Sequence, residues 1–235
     1  MSGRRGPAAI AALAAGALVA GVLLAGSCAP EAKRTTPAIR VVAPRTGVTT
    51  MSLAPAEADG LTRFDSWPKA CELLTPADLR AILPQVTKVV QTPREQEIRV
   101  TNLGDGDGDD RDAPGSSCET RFWVAGTEKN RHAQPDLLRV EDIAVGDTDT
   151  VKDNYDSLAG SRPRVPGGLG AIECVRAAPD YYCRLPHIAF SVGAGPSLYI
   201  DSFVGQPKKV EAHTYWVDNV LPELVRAVAA KLPRR

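Results

Sequence analysis

The sequence has few of the residue types on which common enzyme sites and nucleic-acid surfaces depend. Aromatic residues make up 5% of it, and its 235 residues include three histidines and two methionines. Neither a His-Glu-x-x-His zinc motif nor a Gly-x-Ser-x-Gly nucleophile elbow is present, so the sequence indicates no metal site, no catalytic residue and no cofactor. Lys plus Arg and Asp plus Glu both number 28, so the formal net charge is zero and nothing predicts a nucleic-acid partner.

Charged residues are also missing from one long stretch near the start. Ala8–Ala25 contains only Ala, Ile, Leu, Val and Gly, follows Arg4 and Arg5, and is separated from Cys28 by two small residues. This is the pattern of a lipoprotein export signal. We predict that residues 1–27 are removed and that a lipid on Cys28 holds the protein on the outer face of the cytoplasmic membrane. An uncleaved membrane-spanning anchor is the alternative, because about 18 apolar residues is the lower limit for a bilayer span.

The four remaining cysteines form no Cys-x-x-Cys redox motif, and their number is even. In an exported chain this predicts two structural disulfides. Cys174 and Cys183 flank a segment with a Pro-Asp dipeptide at its middle, so a hairpin that turns there brings the two sulfurs together. Elimination then pairs Cys71 with Cys118.

Composition divides the chain into three parts. After the signal at 1–27, residues 28–65 are rich in Pro, Thr, Ala and charge without a sustained apolar period, which predicts a disordered tether. The run Ile39–Val42 leaves an edge strand as an alternative there. Residues 66–235 are numerous enough to bury a core and predict a single domain.

Capping residues and apolar spacing predict three helices in this domain. Thr75 in an N-cap position, followed at once by Pro and three residues later by Asp, predicts a short helix that ends at Leu83. The segment Asp147–Leu158 predicts a second, capped helix, with an apolar stripe of Val151, Tyr155 and Leu158. The 3–4 spacing of apolar residues from Val210 to Leu232 predicts a long C-terminal helix, with a bend just before Pro222.

Short runs of β-branched and aromatic residues between turn signals predict the strands. With the helices, they indicate an α+β fold: an antiparallel β-sheet with a short N-terminal helix and a long C-terminal helix packed on one face. The predicted strands are Val86–Val90, Ile98–Thr101, Cys118–Val124, Leu137–Val145, Tyr181–Leu185, His187–Val192 and Leu198–Val204.

The stretch Asp105–Asp112 alternates acidic residues with glycine and invites comparison with a calcium loop. A loop starting at Asp105 has acids at positions 1, 3 and 5, but positions 6 and 12 are Asp110 and Ser116 where Gly and Glu are required. We predict a solvated loop, and cation binding by it stays an open alternative.

The glycines of Val165–Gly170 permit positive φ angles or the close approach of a ligand. No Lys-Ser/Thr or Gly-x-Gly-x-x-Gly spacing follows to indicate a phosphate-binding loop, so we predict a tight structural turn. If the domain binds a ligand, this turn and the aromatic residues near it are the best candidates. The predicted ligand-binding residues are Trp123, Gly167, Gly168, Tyr181 and Tyr182.

Several motifs occur in a recognisable order: Ala70–Leu79 (ACELLTPADL), the Cys118–Trp123 strand, the Val165–Gly170 turn, and a closing strand followed by a helix that ends at Leu232. In this order they resemble the actinobacterial cell-surface lipoproteins of mycobacterial and streptomycete type that are grouped as a domain of unknown function. The resemblance implies an α+β domain whose antiparallel sheet is covered by helices. It implies no catalytic residues.

We therefore expect a lipid-anchored, extracytoplasmic binding or sensing module without catalytic activity. Its partners are expected to be the membrane, through the lipid on Cys28, and an unknown small molecule or envelope protein. The alternative is a structural or accessory partner that docks on another cell-envelope protein. A concave pocket with convergent polar groups favours the first reading, and a flat apolar patch favours the second.

Overall fold

The computed structural model describes residues 40–44, 51–100, 109–125, 135–194 and 214–234. All of them lie within one compact unit, Thr35–Arg235. The sheet, both disulfides and the core are inside this unit, so a chain that begins at residue 35 contains every contact described below. The predicted signal, Cys28 and the predicted strand Leu198–Val204 lie outside the described residues.

Six strands of the described residues form one antiparallel sheet in the order β1-β2-β3-β6-β5-β4. Every neighbouring pair is antiparallel, as expected for strands joined by hairpins and short connections. With the helices below, this confirms the α+β fold class. The strands are β1 (Val86–Val100), β2 (Asp109–Val124), β3 (Asp136–Val145), β4 (Glu173–Ala177), β5 (Asp180–Leu185) and β6 (Ile188–Ala194).

In the part of the chain that the structure describes, four α-helices accompany the sheet: α1 (Ala70–Leu73), α2 (Pro76–Ile82), α3 (Thr148–Ala159) and α4 (Leu221–Lys231). A π-helical turn, Trp216–Val220, directly precedes α4, and the Leu221 N–H donates to the Trp216 carbonyl there. The π turn occupies the position of the bend predicted just before Pro222, whose missing N–H cannot continue an α-helical ladder. None of the described helices is both long and apolar enough to cross a membrane.

The predicted helix starts are confirmed by their caps. The Thr75 hydroxyl accepts from the Asp78 N–H (3.3 Å), and the Asp78 carboxylate accepts from the Thr75 N–H (2.8 Å), which completes a capping box at α2. At α3 the Asp147 carboxylate accepts from the Thr150 N–H (2.8 Å). Both caps satisfy backbone donors that the first helical turn leaves unpaired.

Alternation along the strands gives the sheet two distinct faces. On the inner face, Cys118, Val140, Val192 and Tyr181 stand in register across β2, β3, β6 and β5, and each is at most 4% exposed. Helices α1, α2 and α4 cover this face. Lys231, at the end of α4, joins the helical layer by donating to the Glu72 carbonyl (2.9 Å) and to the Asp78 carboxylate.

Helix α3 lies on the opposite, outer face of the sheet, over β3, β5 and β6. Val151, Tyr155 and Ala159 are its buried residues, and they pack with Val175 and Ala189 of the sheet. The predicted apolar stripe of α3 ended on Leu158, which is instead 40% exposed. The stripe runs to Ala159, because positions four and eight residues apart keep to one side of a helix.

Both predicted disulfides are confirmed. Cys71 of α1 is bonded to Cys118 of β2, with Cα atoms 5.0 Å apart, and this bond fixes a four-residue helix that cannot be stable alone. Cys174 and Cys183 face each other in the β4–β5 hairpin, with Cα atoms 4.1 Å apart.

The first two strands are longer than predicted. The prediction of two separate strands, Val86–Val90 and Ile98–Thr101, is wrong, because β1 runs unbroken from Val86 to Val100 through Pro93. Proline is tolerated there because β1 is an edge strand with one side unpaired. Strand β2 likewise begins at Asp109, so the described part of the predicted acidic loop is strand.

The prediction of a disordered tether over 28–65 is wrong for residues 51–65, which pack on the domain. Leu61 is 6% exposed and bridges to Gly146, and the Thr62 N–H donates to the Val145 carbonyl (2.8 Å). The Met51 N–H donates to the Lys231 carbonyl (2.6 Å). These hydrogen bonds join residues 51–65 to elements that are far away in the sequence. They require no regular spacing of apolar residues, so the sequence shows no pattern that predicts them.

Candidate functional site

Four side chains form a polar row across the outer face of the sheet. Ser117 of β2 pairs with Glu141 of β3, Glu141 pairs with Ser191 of β6, and Ser191 pairs with Tyr182 of β5. Paired residues in antiparallel strands project to the same side, so the four side chains line up on that face. We call Ser117, Glu141, Ser191 and Tyr182 the polar row.

Glu141 is held at the centre of the polar row by the two serines. The Ser117 hydroxyl donates to Glu141 Oε1 and the Ser191 hydroxyl donates to Glu141 Oε2, both at 3.4 Å. The serines are 6% and 5% exposed, whereas the glutamate side chain is 26% exposed. The carboxylate is thus oriented from below by buried donors while it stays accessible from above.

Two residues of the polar row, Glu141 and Tyr182, line a cleft of about 570 Å³. One wall is the exposed side of α3, from Asp153 to Leu158, and the other is the segment Gln96–Ile98 of β1. Its lining combines polar and apolar groups: Gln96, Glu97, Ile98, Glu141, Ile143, Asp153, Asn154, Ser157, Leu158 and Tyr182.

A β-bulge separates the second wall from the rest of the sheet. Arg94 pairs with Ser117 but Gln96 pairs with Ala113, so three residues of β2 stand opposite one residue of β1. Gly115, inside the bulge, has φ = +73°, and the Ser116 hydroxyl donates to the Ala113 carbonyl (2.8 Å). A bulge bends the strands it interrupts, which gives Gln96–Ile98 a different direction from the first half of β1.

The cleft carries negative charge. Glu97, Glu141 and Asp153 line it, and no Lys or Arg is among the described residues of its lining. Burial, together with the charge of Glu141, raises the pKa of Asp180 to about 6. Burial and the charges of Asp180 and Glu141 raise the pKa of the Tyr182 phenol.

Two cations at the margin partly balance these carboxylates. Arg139 lies 3.5 Å from Glu141. The Arg162 guanidinium lies over the Tyr182 ring, 5.9 Å from its centroid, in the position of a cation–π contact. The Tyr182 ring therefore already accepts a cation of this protein.

The Asp180 carboxylate has room beside the polar row because residue 193 of β6 is glycine. A Cβ at Gly193 would lie 1.5 Å from Asp180 Oδ1, so any larger residue would displace the carboxylate. Gly193 pairs with Arg139 of β3. The positive charge of Arg139 lowers the pKa of Asp180, but burial and the charge of Glu141 raise it by more.

The predicted binding residues are not neighbours, and this part of the prediction is wrong. Tyr182 lines the cleft, but Tyr181 points to the inner face, is 4% exposed and donates its hydroxyl proton to the Val217 carbonyl (3.0 Å). Adjacent residues of a strand face opposite ways, so two consecutive tyrosines cannot share one site on the sheet. Trp123 is on the outer face, but six residues along β2 from Ser117, about 20 Å away.

Gly167 and Gly168 form the predicted tight turn. They have φ values of +73° and +59° in the turn Pro166–Gly170, and Leu169 also has a positive φ of +48°. The turn packs against α4 and β4, not against the cleft. The glycines therefore allow a backbone conformation that closes one end of the inner layer.

No group of three or more His, Cys, Asp or Glu residues that could hold a metal ion is found in the described part of the chain. His187 Nδ1 donates to the Gly146 carbonyl (3.0 Å) at the edge of a second, mainly apolar depression of about 410 Å³. His132 and His213 lie outside the described residues. What the larger cleft offers chemically is one oriented carboxylate, that of Glu141, together with two further carboxylates, a phenol ring and apolar walls.

Sequence reasoning missed Glu141, Ser117, Ser191 and Asp180. The alternation in Leu137–Val145 does place Glu141 on the polar side of a strand. Nothing in one sequence reveals that β3 is flanked by β2 and β6, which is what brings the two serines to Glu141.

Comparison with known proteins gives no match to a family model, to a curated protein or to a solved structure. The resemblance to actinobacterial lipoproteins therefore stays a prediction.

Proposed function

We propose that the protein is a lipid-anchored, extracytoplasmic binding module whose cleft takes a small organic cation with an apolar part, without a catalytic step. The cleft carries this proposal. It combines three carboxylates with Tyr182 and with the apolar side chains of Ile98, Ile143 and Leu158. A volume of about 570 Å³ is within the usual range for small-molecule sites.

The ligand class follows from charge and ring chemistry. A cation gains from Glu141, which buried serines already orient, and from the face of Tyr182, which attracts cations as its contact with Arg162 shows. An anion would meet Glu97, Glu141 and Asp153 with no cation in the described lining. The apolar walls favour a ligand that also carries a hydrocarbon or aromatic part.

Thermal unfolding with matched probes tests the ligand class. Benzylamine, arginine methyl ester and spermidine should raise the melting temperature of residues 35–235, whereas benzoate, with the same ring and opposite charge, should not. A ligand at a hundred times its Kd adds about 2.7 kcal/mol of stability. If no cation shifts the transition, or benzoate shifts it equally, the proposal fails and the accessory-partner reading replaces it.

Two aspartates of α3 provide a matched pair of variants. Asp153 lines the cleft, whereas Asp149, one turn earlier on the same helix, does not. Asp153→Asn and Glu141→Gln should weaken binding of the cation, and Asp149→Asn should leave it unchanged. Equal losses in all three variants would assign the effect to the protein's overall charge and not to the cleft.

The anchor is tested separately on the full chain in cells. Metabolic labelling with a fatty acid should mark the wild-type protein but not Cys28→Ala, because the proposed lipid is attached through that thiol. A wild-type protein that takes up no label would contradict the anchor and leave the cleft proposal standing.

A further inference from the structure

Among the described residues, the end of the outer face opposite the cleft is exposed and basic. Lys88 pairs with Trp123 and Val90 pairs with Arg121 across β1 and β2, and Arg139 of β3 lies one strand further on. Val90 is 42% exposed, and the arginine side chains are 54% and 42% exposed. We call Lys88, Val90, Arg121, Trp123 and Arg139 the basic face.

The charge of the basic face is only partly neutralised. Glu119 lies 2.8 Å from Arg121, but its side chain is 14% exposed and therefore recessed below the arginine. Lys88 lies over the Trp123 ring, 4.4 Å from the centroid, and has no carboxylate within salt-bridge distance among the described residues. The surface presented to a partner is thus cationic, with an aliphatic and an aromatic side chain among the charges.

Arg40, the first residue that the structure describes, lies at this same end. With its amide oriented to satisfy both groups, Gln85 accepts from the Arg40 N–H (2.7 Å) and donates to the Arg40 carbonyl (3.2 Å). The Gln85 carbonyl accepts from the Ala125 N–H (2.8 Å), so Arg40 lies beside the end of the β1–β2 pair that bears Lys88 and Trp123.

Twelve residue steps separate Arg40 from Cys28 in the sequence. Even fully extended, they span at most about 43 Å. A lipid on Cys28 would therefore keep this end of the domain close to the bilayer surface, at a high effective concentration. Only this tethering near the bilayer depends on the proposed lipid anchor.

We propose that the basic face docks on an anionic membrane surface. Cations near anionic headgroups are attracted to them, and tryptophan is favoured at the boundary between headgroups and acyl chains. Trp123 lies about 20 Å along β2 from the polar row, which exceeds the Debye length of about 8 Å at physiological salt. The carboxylates of the cleft are therefore screened from Lys88 and Trp123, and Arg139, which lies 3.5 Å from Glu141, stands between the two regions.

Vesicle partitioning of residues 35–235, which lack the anchor site, tests the basic face alone. The protein should bind vesicles of phosphatidylcholine containing 50% phosphatidylglycerol at low salt, and less so as salt rises or as the anionic lipid is removed. Trp67 and Trp216 are 2% and 1% exposed, so a blue shift of tryptophan emission on binding reports Trp123 and should disappear in Trp123→Phe.

Two pairs of neutralised cations separate the basic face from overall charge. Lys88→Gln with Arg121→Gln should lower the partition coefficient about tenfold, whereas Arg80→Gln with Arg226→Gln, on exposed positions of α2 and α4, should leave it within about twofold. No binding to anionic vesicles, or equal losses in both pairs, would overturn the proposal. Binding to dextran sulfate without binding to vesicles would overturn it in favour of a soluble polyanion.

Discussion

Replacing Asp136 by asparagine should change how the stability of the domain depends on pH. Asp136 is the first residue of β3 and pairs with Phe122, whose ring is buried on the inner face. It is 3% exposed, and its Oδ1 has no hydrogen-bond partner among the described residues. Burial raises the pKa of this carboxyl from 3.8 to about 8.

Whether stability rises or falls with pH depends on which state, folded or unfolded, holds the proton on Asp136. Between pH 3.8 and about 8, Asp136 is protonated in the folded protein and ionised in the unfolded chain. Unfolding then releases a proton, so the stability contributed by this group is complete below pH 3.8 and is lost as pH rises to about 8. The loss is about 1.4 kcal/mol per pH unit, hence about 3 kcal/mol between pH 5 and pH 7.

Urea denaturation at pH 5, 6 and 7 measures this effect. The wild type should lose stability over this range, and Asp136→Asn should be less dependent on pH by about 3 kcal/mol, or roughly 6–12 °C in melting temperature. Asp142, whose pKa is also raised by burial, is present in both proteins and cancels in the difference. Exposed Asp112 supplies the control, because Asp112→Asn should follow the wild type.

The reasoning would be refuted if wild type and Asp136→Asn gave parallel curves over this pH range. Parallel curves would mean that Asp136 is ionised at neutral pH in the folded protein, with a partner for its carboxylate.

Three further predictions concern the disulfides, the sheet and the cleft. By the loop-entropy model, removing the Cys71–Cys118 bond should lower the free energy of unfolding by about 4 kcal/mol, and removing the Cys174–Cys183 bond should lower it by about 2.7 kcal/mol. Urea denaturation of variants that each lack one bond measures the two losses. Gly193→Ala should destabilise the domain by about 1–3 kcal/mol in the same assay, because the new Cβ meets the Asp180 carboxylate, and no loss would contradict that contact. Cation affinity, measured by calorimetry, should rise with pH through about 6 as Asp180 ionises, and a pH-independent affinity would exclude Asp180 from the site.

The features predicted correctly from sequence are those set by nearby residues. The α2 cap depends on Thr75 and Asp78, which are three residues apart, and the hairpin disulfide depends on a turn between Cys174 and Cys183. Local backbone geometry fixes both, so the sequence is enough to place them.

The features that sequence analysis missed depend on tertiary neighbours. Proline usually interrupts a strand, yet β1 continues through Pro93 because β1 is an edge strand with one side unpaired. The packing of residues 51–65 depends on hydrogen bonds to β3 and α4 that no local pattern records.

The cleft could not be predicted for the same reason. Its polar row draws one residue from each of four strands, and the strand order places β6 between β3 and β5. Consecutive tyrosines suggested a shared aromatic site, but the two-residue period of a strand sends Tyr181 into the core and Tyr182 into the cleft.

Amide chemical-shift mapping of isotope-labelled residues 35–235 during titration with benzylamine tests the binding cleft most directly. The account predicts saturable shifts at Gln96–Ile98, around Glu141, along Asp153–Leu158 and at Tyr182, with no saturable shifts from benzoate. Saturable shifts confined to other surfaces, or no saturable shifts at all, would contradict the assignment of this cleft as a cation-binding site.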